Sequence, residues 1–266
     1  MFAAASPSMK SSPWVRVLNP LAASSPRVFC FPHSGAGTVM FHGWPQHISP
    51  VAEVCAIQLP GRDARMKERP HDNMASLVNA LYCDIIPYLD RPFVFFGHSM
   101  GAQVAFALTH ALVERAGIRP CHLFLSGARA PHLLPLLPKL HTLSDDELVM
   151  ALHALGGISG QIMAIKELLD LFIPIIRADL AVSESYWLEK PVPLAVPITA
   201  LGGASDPRVS IESLEAWRDH TTAAFSRELF PGGHFYIQHH GKKLSSFITE
   251  ALRQTQPITG DSGANQ

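Results

Sequence analysis

The feature that most constrains the fold of this chain is a serine placed between a strand pattern and a helix pattern. The pentapeptide Gly97-His98-Ser99-Met100-Gly101 follows the apolar run 93–96 and leads into a helical pattern over 102–114. A G-x-S-x-G turn between a strand and a helix exposes a serine hydroxyl as a nucleophile. Glycine at both flanking positions avoids a steric collision in so tight a turn. The sequence therefore favours a nucleophilic Ser99 over an ordinary buried turn.

Short β-rich runs alternate with helical patterns along most of the chain. The strand candidates cover residues 28–31, 53–59, 93–96, 122–126, 198–201 and 226–230. Such alternation is typical of a parallel sheet with helices on both faces. Together with the serine turn, it predicts an α/β protein of the α/β-hydrolase fold, with a mostly parallel central sheet.

One stretch, from about residue 131 to 193, breaks the alternation. It holds helical patterns only: one is opened by a capping box of Ser144 and Glu147, and two more, at 162–171 and 175–187, are separated by Pro174. We predict a helical lid insertion over the active site. The alternative is a helical segment on the surface that has no gating role. The single domain is expected to span 14–253, between a flexible segment 1–13 and a flexible tail 254–266.

Composition argues against several classes of partner. The net charge of −1 leaves no basic footprint for nucleic acid or for an anionic membrane. No stretch reaches the ~18 apolar residues of a membrane span. The four cysteines lie in apolar segments without a C-x-x-C pair, as reduced, core-filling cysteines do; they are Cys30, Cys55, Cys83 and Cys121. A cytoplasmic protein with no nucleic-acid or membrane partner is expected.

A serine nucleophile needs a base, and the base needs an orienting acid. In this fold they follow the serine in the order acid, then histidine. Asp206 comes after the strand pattern 198–201 and a short loop, and Pro207 disfavours a helical conformation there. His234 follows two glycines after the strand pattern 226–230. We predict a catalytic triad of Ser99, Asp206 and His234, although an Asx or proline turn alone would also explain Asp206.

The remaining histidines compete with His234 for the role of base. His220, His239 and His240 are closest to it in sequence, but their helical or polar contexts suggest solvated surface side chains. No H-E-x-x-H or comparable spacing occurs among the 14 histidines, so no metal site is predicted.

An oxyanion hole requires two donors aimed at the oxygen of the tetrahedral intermediate. The backbone N–H of Met100 is one, and the loop after the first core strand should supply the other. That loop, 32–37, is small and glycine-rich, and we predict the amide of Ser34. It lacks both the G-K-[ST] ending and the G-x-G-x-x-G spacing of phosphate-binding loops.

An ordered series of motifs makes the sequence similar to one known family. These are F-P-H-S-G at 31–35, L-P-G-R at 59–62, F-G-H-S-M-G at 96–101, L-G-G at 155–157, I-R-A-D at 176–179 and P-G-G-H-F at 231–235. From about 14 to 251 the chain resembles the type II thioesterases, free-standing α/β-hydrolases that work beside polyketide and nonribosomal peptide synthases or a fatty acid synthase. The family's triad matches Ser99, Asp206 and His234, and its oxyanion donors match Ser34 and Met100.

Two positions call for comment against the family pattern. The family usually has Ala-Gly-Gly where this chain has Ser34-Gly35-Ala36, which preserves the amide of residue 34 and adds a hydroxyl. The Arg177-Ala178-Asp179 segment matches, and we interpret it as lid packing or ion pairing rather than catalysis.

The resemblance implies hydrolysis of acyl thioesters carried on the phosphopantetheine arm of acyl or peptidyl carrier proteins. It implies no cofactor of the protein's own, and a monomer is expected. Apolar lid residues are candidates for the acyl chamber: Leu133, Leu134, Leu136, Leu137 and Met163. A basic loop is a candidate for docking acidic carriers, or else a solvated loop: Arg62, Arg65, Lys67 and Arg69.

Three other functions fit the same residues. A carboxylesterase or lipase, or an acyltransferase with an alcohol or amine acceptor, would use the same triad. A non-catalytic carrier-binding module on a hydrolase scaffold is an alternative of another class. The sequence does not distinguish editing of misprimed or stalled carriers from release of finished product, and it does not specify the acyl chain.

Overall fold

A computed structural model describes residues 12–136 and 138–255. Its strands form one seven-stranded sheet in the order β1-β3-β2-β4-β5-β6-β7. The strands are β1 (Val15–Val17), β2 (Arg27–Phe31), β3 (Glu53–Ile57), β4 (Phe93–His98), β5 (Leu123–Ser126), β6 (Ile198–Gly203) and β7 (Phe225–Phe230). Only the β1–β3 pairing in this sheet is antiparallel. The predicted α/β-hydrolase fold is confirmed.

Helices cover both faces of this sheet. The α-helices of the described chain are α1 (Pro45–Ile48), α2 (Met74–Ile85), α3 (Met100–Ala116), α4 (Asp145–Ala154), α5 (Gly160–Met163), α6 (Lys166–Ser185), α7 (Ile211–Glu215) and α8 (Gly241–Thr255). Short 3-10 helices lie at Thr38–Phe41, Asp63–Arg65, Ile86–Tyr88, Leu140–Thr142, Ala216–His220 and Tyr236–Gln238.

Two apolar cores lie on opposite faces of the sheet. One joins α2 and α3 to the sheet through residues such as Leu81, Phe106 and Phe95. The other joins α1 and α8 to it through residues such as Ile48 and Leu244. Strands β2 and β3 are buried along their whole length, which explains their continuous apolar pattern.

The region 131–193 contributes α4, α5 and α6 and no strand of the sheet among its described residues. These helices share a small core of their own; its buried members are Leu140, Leu148, Val149, Leu152, Ile158, Ile173 and Ile176. The predicted break at Pro174 is wrong, because Pro174 lies inside the single helix α6. Proline removes one backbone donor, but burial of Ile173 and Ile175 on either side holds the helix together.

Several predicted boundaries shift in the structure. Strand β1 was not expected, because three residues are too short to show an alternating pattern. Of the segment expected to be flexible, residues 1–11 lie outside the described residues, whereas the Ser12 hydroxyl donates to Asp84 at 2.9 Å. The tail 256–266 also lies outside them, and α8 continues to Thr255. Within the described chain, no helix is long and apolar enough to span a membrane.

All four cysteines are free, but they are not all in the core. Cys30 and Cys55 are buried, whereas Cys83 is exposed on α2. The expectation of a core-filling role is wrong for Cys83, because its position on the amphipathic helix faces away from the sheet.

Candidate active site

Ser99 stands in a strained turn between β4 and α3. Its φ of 54° and ψ of −117° lie in a region that side-chain-bearing residues rarely adopt. A Cβ on Gly97 would come within 2.2 Å of the Gly101 carbonyl oxygen, and one on Gly101 within 2.2 Å of the Phe31 carbonyl oxygen. The flanking glycines therefore let the turn close tightly and present the serine hydroxyl above the sheet.

The structure brings Ser99, His234 and Asp206 into one hydrogen-bonded line. His234 Nε2 lies 3.0 Å from Ser99 Oγ, and His234 Nδ1 lies 2.7 Å from Asp206 Oδ2. The carboxylate of Asp206 is fully buried, and its other oxygen accepts a bond from the Arg208 N–H at 2.9 Å. An ionised Asp206 accepts from Nδ1–H, which leaves Nε2 unprotonated and able to take the proton of Ser99.

Two neighbouring loops position the acid and the base. Asp206 follows β6, and His234 follows β7, which pairs with β6 in parallel. The loops meet so closely that a Cβ on Gly203 would lie 2.2 Å from the Gly233 carbonyl oxygen. Gly232 adopts a φ of 110°, a conformation that favours glycine. The paired strands therefore fix the separation of the two side chains.

The backbone donors predicted for the oxyanion come from two different elements, the start of α3 and the loop after β2. Met100 opens α3, whose first N–H groups have no partner within the helix. Ser34 lies in the loop after β2 and lines the same cavity as Ser99 and His234. The positive end of the α3 dipole points at the reacting centre, where it favours a developing negative charge.

Two further histidines pack beside the catalytic candidate. The ring centroids of His33 and His98 are 5.9 Å apart, and those of His98 and His234 are 5.4 Å apart. Burial lowers the pKa of His33 to about 4 and the pKa of His98 well below its ordinary value. Both rings are therefore neutral near pH 7 and place no charge beside His234.

His98 belongs to a buried hydrogen-bonded chain that the sequence did not reveal. Its Nδ1 lies 2.8 Å from the Ser126 hydroxyl, which lies 2.6 Å from the Tyr236 hydroxyl. Ser126 ends the neighbouring strand β5, and its carbonyl accepts the Ser99 N–H at 2.7 Å. Pairing of β4 with β5 brings His98 and Ser126 together, and Tyr236 reaches Ser126 from the 3-10 helix after β7, so no local pattern predicts the chain.

A cavity of about 140 Å³ opens beside Ser99. Its wall includes Leu133 and Leu136, as predicted, but not Leu134, whose side chain is 78% exposed. Met163 packs against the apolar core of the lid instead, and Leu137 lies outside the described residues. Helical and loop spacing cannot tell which side of a leucine-rich segment faces the cavity.

Further residues of the wall were not predicted. The apolar ones include Leu140, Leu152, Leu155, Leu180, Tyr186 and Trp187, and the polar ones include Gln103, Arg129, Glu184 and Arg208. All six apolar residues lie within the region 131–193, with Leu152 on α4 and Leu180 on α6, so this region covers the serine as a lid insertion would. That its helices move as a gate stays a prediction.

Two of the four basic side chains expected to dock carriers, Arg62 and Arg65, are buried. The Arg62 side chain ion-pairs with Asp179, and Arg65 bonds Glu68 and lies 4.0 Å over the Trp14 ring. The docking interpretation is therefore wrong for Arg62 and Arg65, because their guanidinium groups are already used inside the protein. Lys67 and Arg69 are exposed, as that hypothesis requires.

His220 is not a surface histidine. It is fully buried, packs against Phe106 and Trp217, and bonds His132 across 2.8 Å. His239 is exposed, and His240 is partly buried and contacts the Pro231 carbonyl. None of these three histidines forms a hydrogen bond with Ser99; His234 forms that bond. No cluster of metal-ligating side chains occurs in the described part of the chain.

The comparisons with known proteins agree on one family. The model of the thioesterase domain matches residues 26–252. The gramicidin S biosynthesis protein GrsT of Aneurinibacillus migulanus is 35% identical over 240 residues, which are 90% of this chain and 94% of that protein.

Two solved structures have the same fold as this chain. The type II thioesterase BorB from the borrelidin biosynthetic cluster is 33% identical with a TM-score of 0.81, covering 92% of this chain and 98% of BorB. The thioesterase RedJ from the prodiginine pathway of Streptomyces coelicolor is 35% identical with a TM-score of 0.81, covering 94% of this chain and 96% of RedJ.

Proposed function

The chain belongs to the thioesterase family, and from that premise we propose that it hydrolyses acyl thioesters held on the phosphopantetheine arm of acyl or peptidyl carrier proteins. As a member of the family it is a thioester hydrolase. The observation that carries the proposal is the line of hydrogen bonds from Ser99 through His234 to Asp206, at the floor of a covered cavity. The relatives described above serve gramicidin S, borrelidin and prodiginine biosynthesis, which supports a synthase as the source of the substrate.

The first half of the reaction transfers the acyl group to the enzyme. Ser99 Oγ attacks the thioester carbon while its proton passes to His234 Nε2, and the N–H groups of Ser34 and Met100 bind the resulting oxyanion. Collapse breaks the carbon–sulfur bond, and His234 returns the proton to the sulfur. A thiol with a pKa near ~8.5 leaves readily, so the demand on His234 as an acid is modest.

The second half releases the acid. Water attacks the acyl–Ser99 ester while His234 takes its proton, and the second tetrahedral intermediate uses the same two N–H donors. Collapse returns the proton to Ser99 Oγ and frees the carboxylic acid. Buried Asp206 stabilises the imidazolium that forms in each half. We propose no cofactor, because these steps need only groups that the chain supplies.

The surroundings of the site suggest how the substrate lies. We propose that the acyl chain occupies the cavity beside Leu133 and Leu136, and that exposed Lys67 and Arg69 help to attract an acidic carrier. Free cysteines fit a reducing cytoplasm, where we propose that the protein acts. A monomeric state stays a prediction.

Mass spectrometry of acyl-loaded carrier proteins tests the function. The wild type is expected to convert the acylated carrier to free thiol and carboxylic acid, and Ser99→Ala to lose at least about a thousandfold in rate because no nucleophile remains. Ser246→Ala, at an exposed position of α8, is the matched control and should keep the wild-type rate. Deacylation that persists in Ser99→Ala would remove Ser99 from the mechanism.

The same assay separates the rival activities. A matched oxygen ester, presented with the same acyl group, should be hydrolysed more slowly than the carrier thioester. A preference for the oxygen ester would make the protein a carboxylesterase. An acyl product on an added alcohol or amine, in place of free acid, would make it an acyltransferase.

A further inference from the structure

Asp179, on the lid helix α6, is a buried carboxylate that reaches into the active-site region. Its Oδ2 accepts the Gly35 N–H at 2.7 Å and also an N–H of Arg62. Both members of this ion pair are buried. The carboxylate therefore joins three segments that are remote in sequence: α6, the loop after β2 and the loop after β3. Loss of either partner would leave a buried charge without compensation, which costs stability, so the pair favours the arrangement in which these three segments are in contact.

The bond to Gly35 fixes the peptide that follows the predicted oxyanion donor. The Ser34 carbonyl contacts His33 Nδ1 at 3.0 Å, so the Ser34–Gly35 peptide is held on both its carbonyl and its N–H side. Arg62 Nε donates to the Ala36 carbonyl at 3.2 Å and holds the next turn of the loop. Among the described residues, no hydrogen bond occupies the N–H of Ser34. That donor remains available to the substrate.

Packing reinforces the hydrogen bond. Gly35 has a φ of 78°, and a Cβ there would lie 2.6 Å from Cγ1 of Ile176. Ile176 and Asp179 are three residues apart on α6 and therefore share one face of the helix. This face rests directly on the loop, so a displacement of α6 would move the Ser34–Gly35 peptide with it.

A second carboxylate holds the far end of the same loop. Asp63 Oδ2 accepts the Thr38 N–H at 2.7 Å and the Thr38 hydroxyl at 3.0 Å. Asp63 follows Arg62 directly, so one short segment after β3 anchors the loop at Ala36 and at Thr38. With that end fixed by the body of the domain, the orientation of the Ser34 amide depends on the lid helix.

We propose that Asp179 is a positioning residue, whose carboxylate holds the Ser34–Gly35 peptide so that the Ser34 N–H points at the thioester oxyanion. The oxyanion hole is then complete only when α6 is seated on the loop. This inference rests on the proposed thioester hydrolysis at Ser99. Asp179 acts through Ser34 and touches no reacting atom.

A transition-state analogue distinguishes positioning from a merely structural role. A trifluoromethyl ketone with the acyl chain of the substrate adds to Ser99 Oγ, passes the serine proton to His234 and places its oxyanion in the hole. In Asp179→Asn, kcat for an acyl-N-acetylcysteamine thioester should fall roughly 10- to 100-fold while KM changes less than about threefold. The inhibition constant of the ketone should rise by the same factor as kcat/KM falls.

Asp145→Asn is the matched control. Asp145 also pairs with an arginine of α6, Arg177, but its side chain is exposed and does not contact the loop. Both kcat and the inhibition constant should stay within about twofold of the wild type in this variant. A loss of kcat/KM in Asp179→Asn without any weakening of the ketone would overturn the positioning role, as would a rise in KM alone.

Thermal unfolding shows whether each variant is folded. If Asp179→Asn does not fold, Asp179→Glu keeps the charge but moves the carboxylate by one methylene, and the same proportional change in kcat/KM and ketone binding is expected. If kcat/KM and the inhibition constant of the ketone both keep their wild-type values in Asp179→Glu, or if only kcat/KM falls, the inference is overturned. Activity that survives Ser99→Ala would instead overturn the proposed function, so the two failures are distinguishable.

Discussion

The role of a single residue in this protein depends on where the fold buries it, and local sequence does not predict that burial. His220 and His234 both lie near the carboxyl end of the chain and both are buried, yet only His234 reaches Ser99. His220 was expected on the surface because it lies in a polar stretch. Its ring instead fills the space between Phe106 and Trp217, at contacts that depend on how α3 packs.

Replacing His220 tests this burial through the pH dependence of stability. Burial lowers its pKa to about 4, with the neighbouring His132 acting in the same direction, His110 adding to it and Asp219 opposing. As pH falls below 6.5 the unfolded chain binds this proton before the folded protein does, so the free energy of unfolding decreases. Between these pKa values the contribution of one such group approaches about 1.4 kcal/mol per pH unit.

In His220→Gln we expect the slope of unfolding free energy against pH, between pH 6 and 4.5, to be shallower by about that amount. Urea denaturation at a series of pH values measures it. His239→Gln, which removes an exposed histidine, should keep the wild-type slope. Identical slopes for His220→Gln and the wild type would contradict a neutral, buried His220.

At the scale of elements, close backbone contacts place the catalytic loops. The turn at Ser99 was predictable because its glycines have a local steric cause. The contact between the ends of β6 and β7 was not, because it joins residues thirty positions apart through strand pairing. Helix α6 illustrates the reverse error, since Pro174 is a local helix breaker that tertiary burial overrides.

Gly203→Ala should disrupt the close contact between Gly203 and Gly233, which holds Asp206 and His234 at hydrogen-bonding distance. The new Cβ would lie 2.2 Å from the Gly233 carbonyl oxygen, so the His234 loop must move. We expect kcat/KM for a small thioester to fall at least about 100-fold, since a displacement of about 1 Å is enough for such a loss. Gly43→Ala, where a Cβ meets open space, should stay within about twofold of the wild type. Full activity in Gly203→Ala would show that the loops adjust freely.

At the scale of the whole molecule, buried ion pairs connect segments that the chain order separates. Arg62 and Asp179 tie the lid insertion to the domain, and Arg27 and Glu53 tie the starts of β2 and β3. Arg27 also donates to the Tyr88 carbonyl at 2.6 Å, and Glu53 accepts the Leu21 N–H at 3.0 Å. These charges are satisfied only in the assembled fold.

Glu53→Gln should destabilise the protein strongly. It leaves the buried guanidinium of Arg27 without its buried carboxylate, and breaking such a pair costs roughly 3–5 kcal/mol of unfolding free energy. Asp170→Asn removes an exposed partner of Lys166 and should cost less than about 1 kcal/mol. Urea denaturation at neutral pH measures both. A loss in Glu53→Gln no larger than in Asp170→Asn would mean that Asp90, which also pairs with Arg27, is enough to balance the buried guanidinium.

The fold class, the nucleophile turn and the order of acid and base could all be predicted from the sequence. Each of these has a local cause: alternating strand and helix patterns, glycines that relieve a steric clash, and polar residues that follow strands. Tertiary contacts decided the rest. They buried Arg62, Arg65 and His220, chose which leucines line the cavity, joined His98 to Tyr236 and placed Asp179 on the oxyanion loop. Those outcomes depend on contacts between residues distant in sequence, which no local pattern contains.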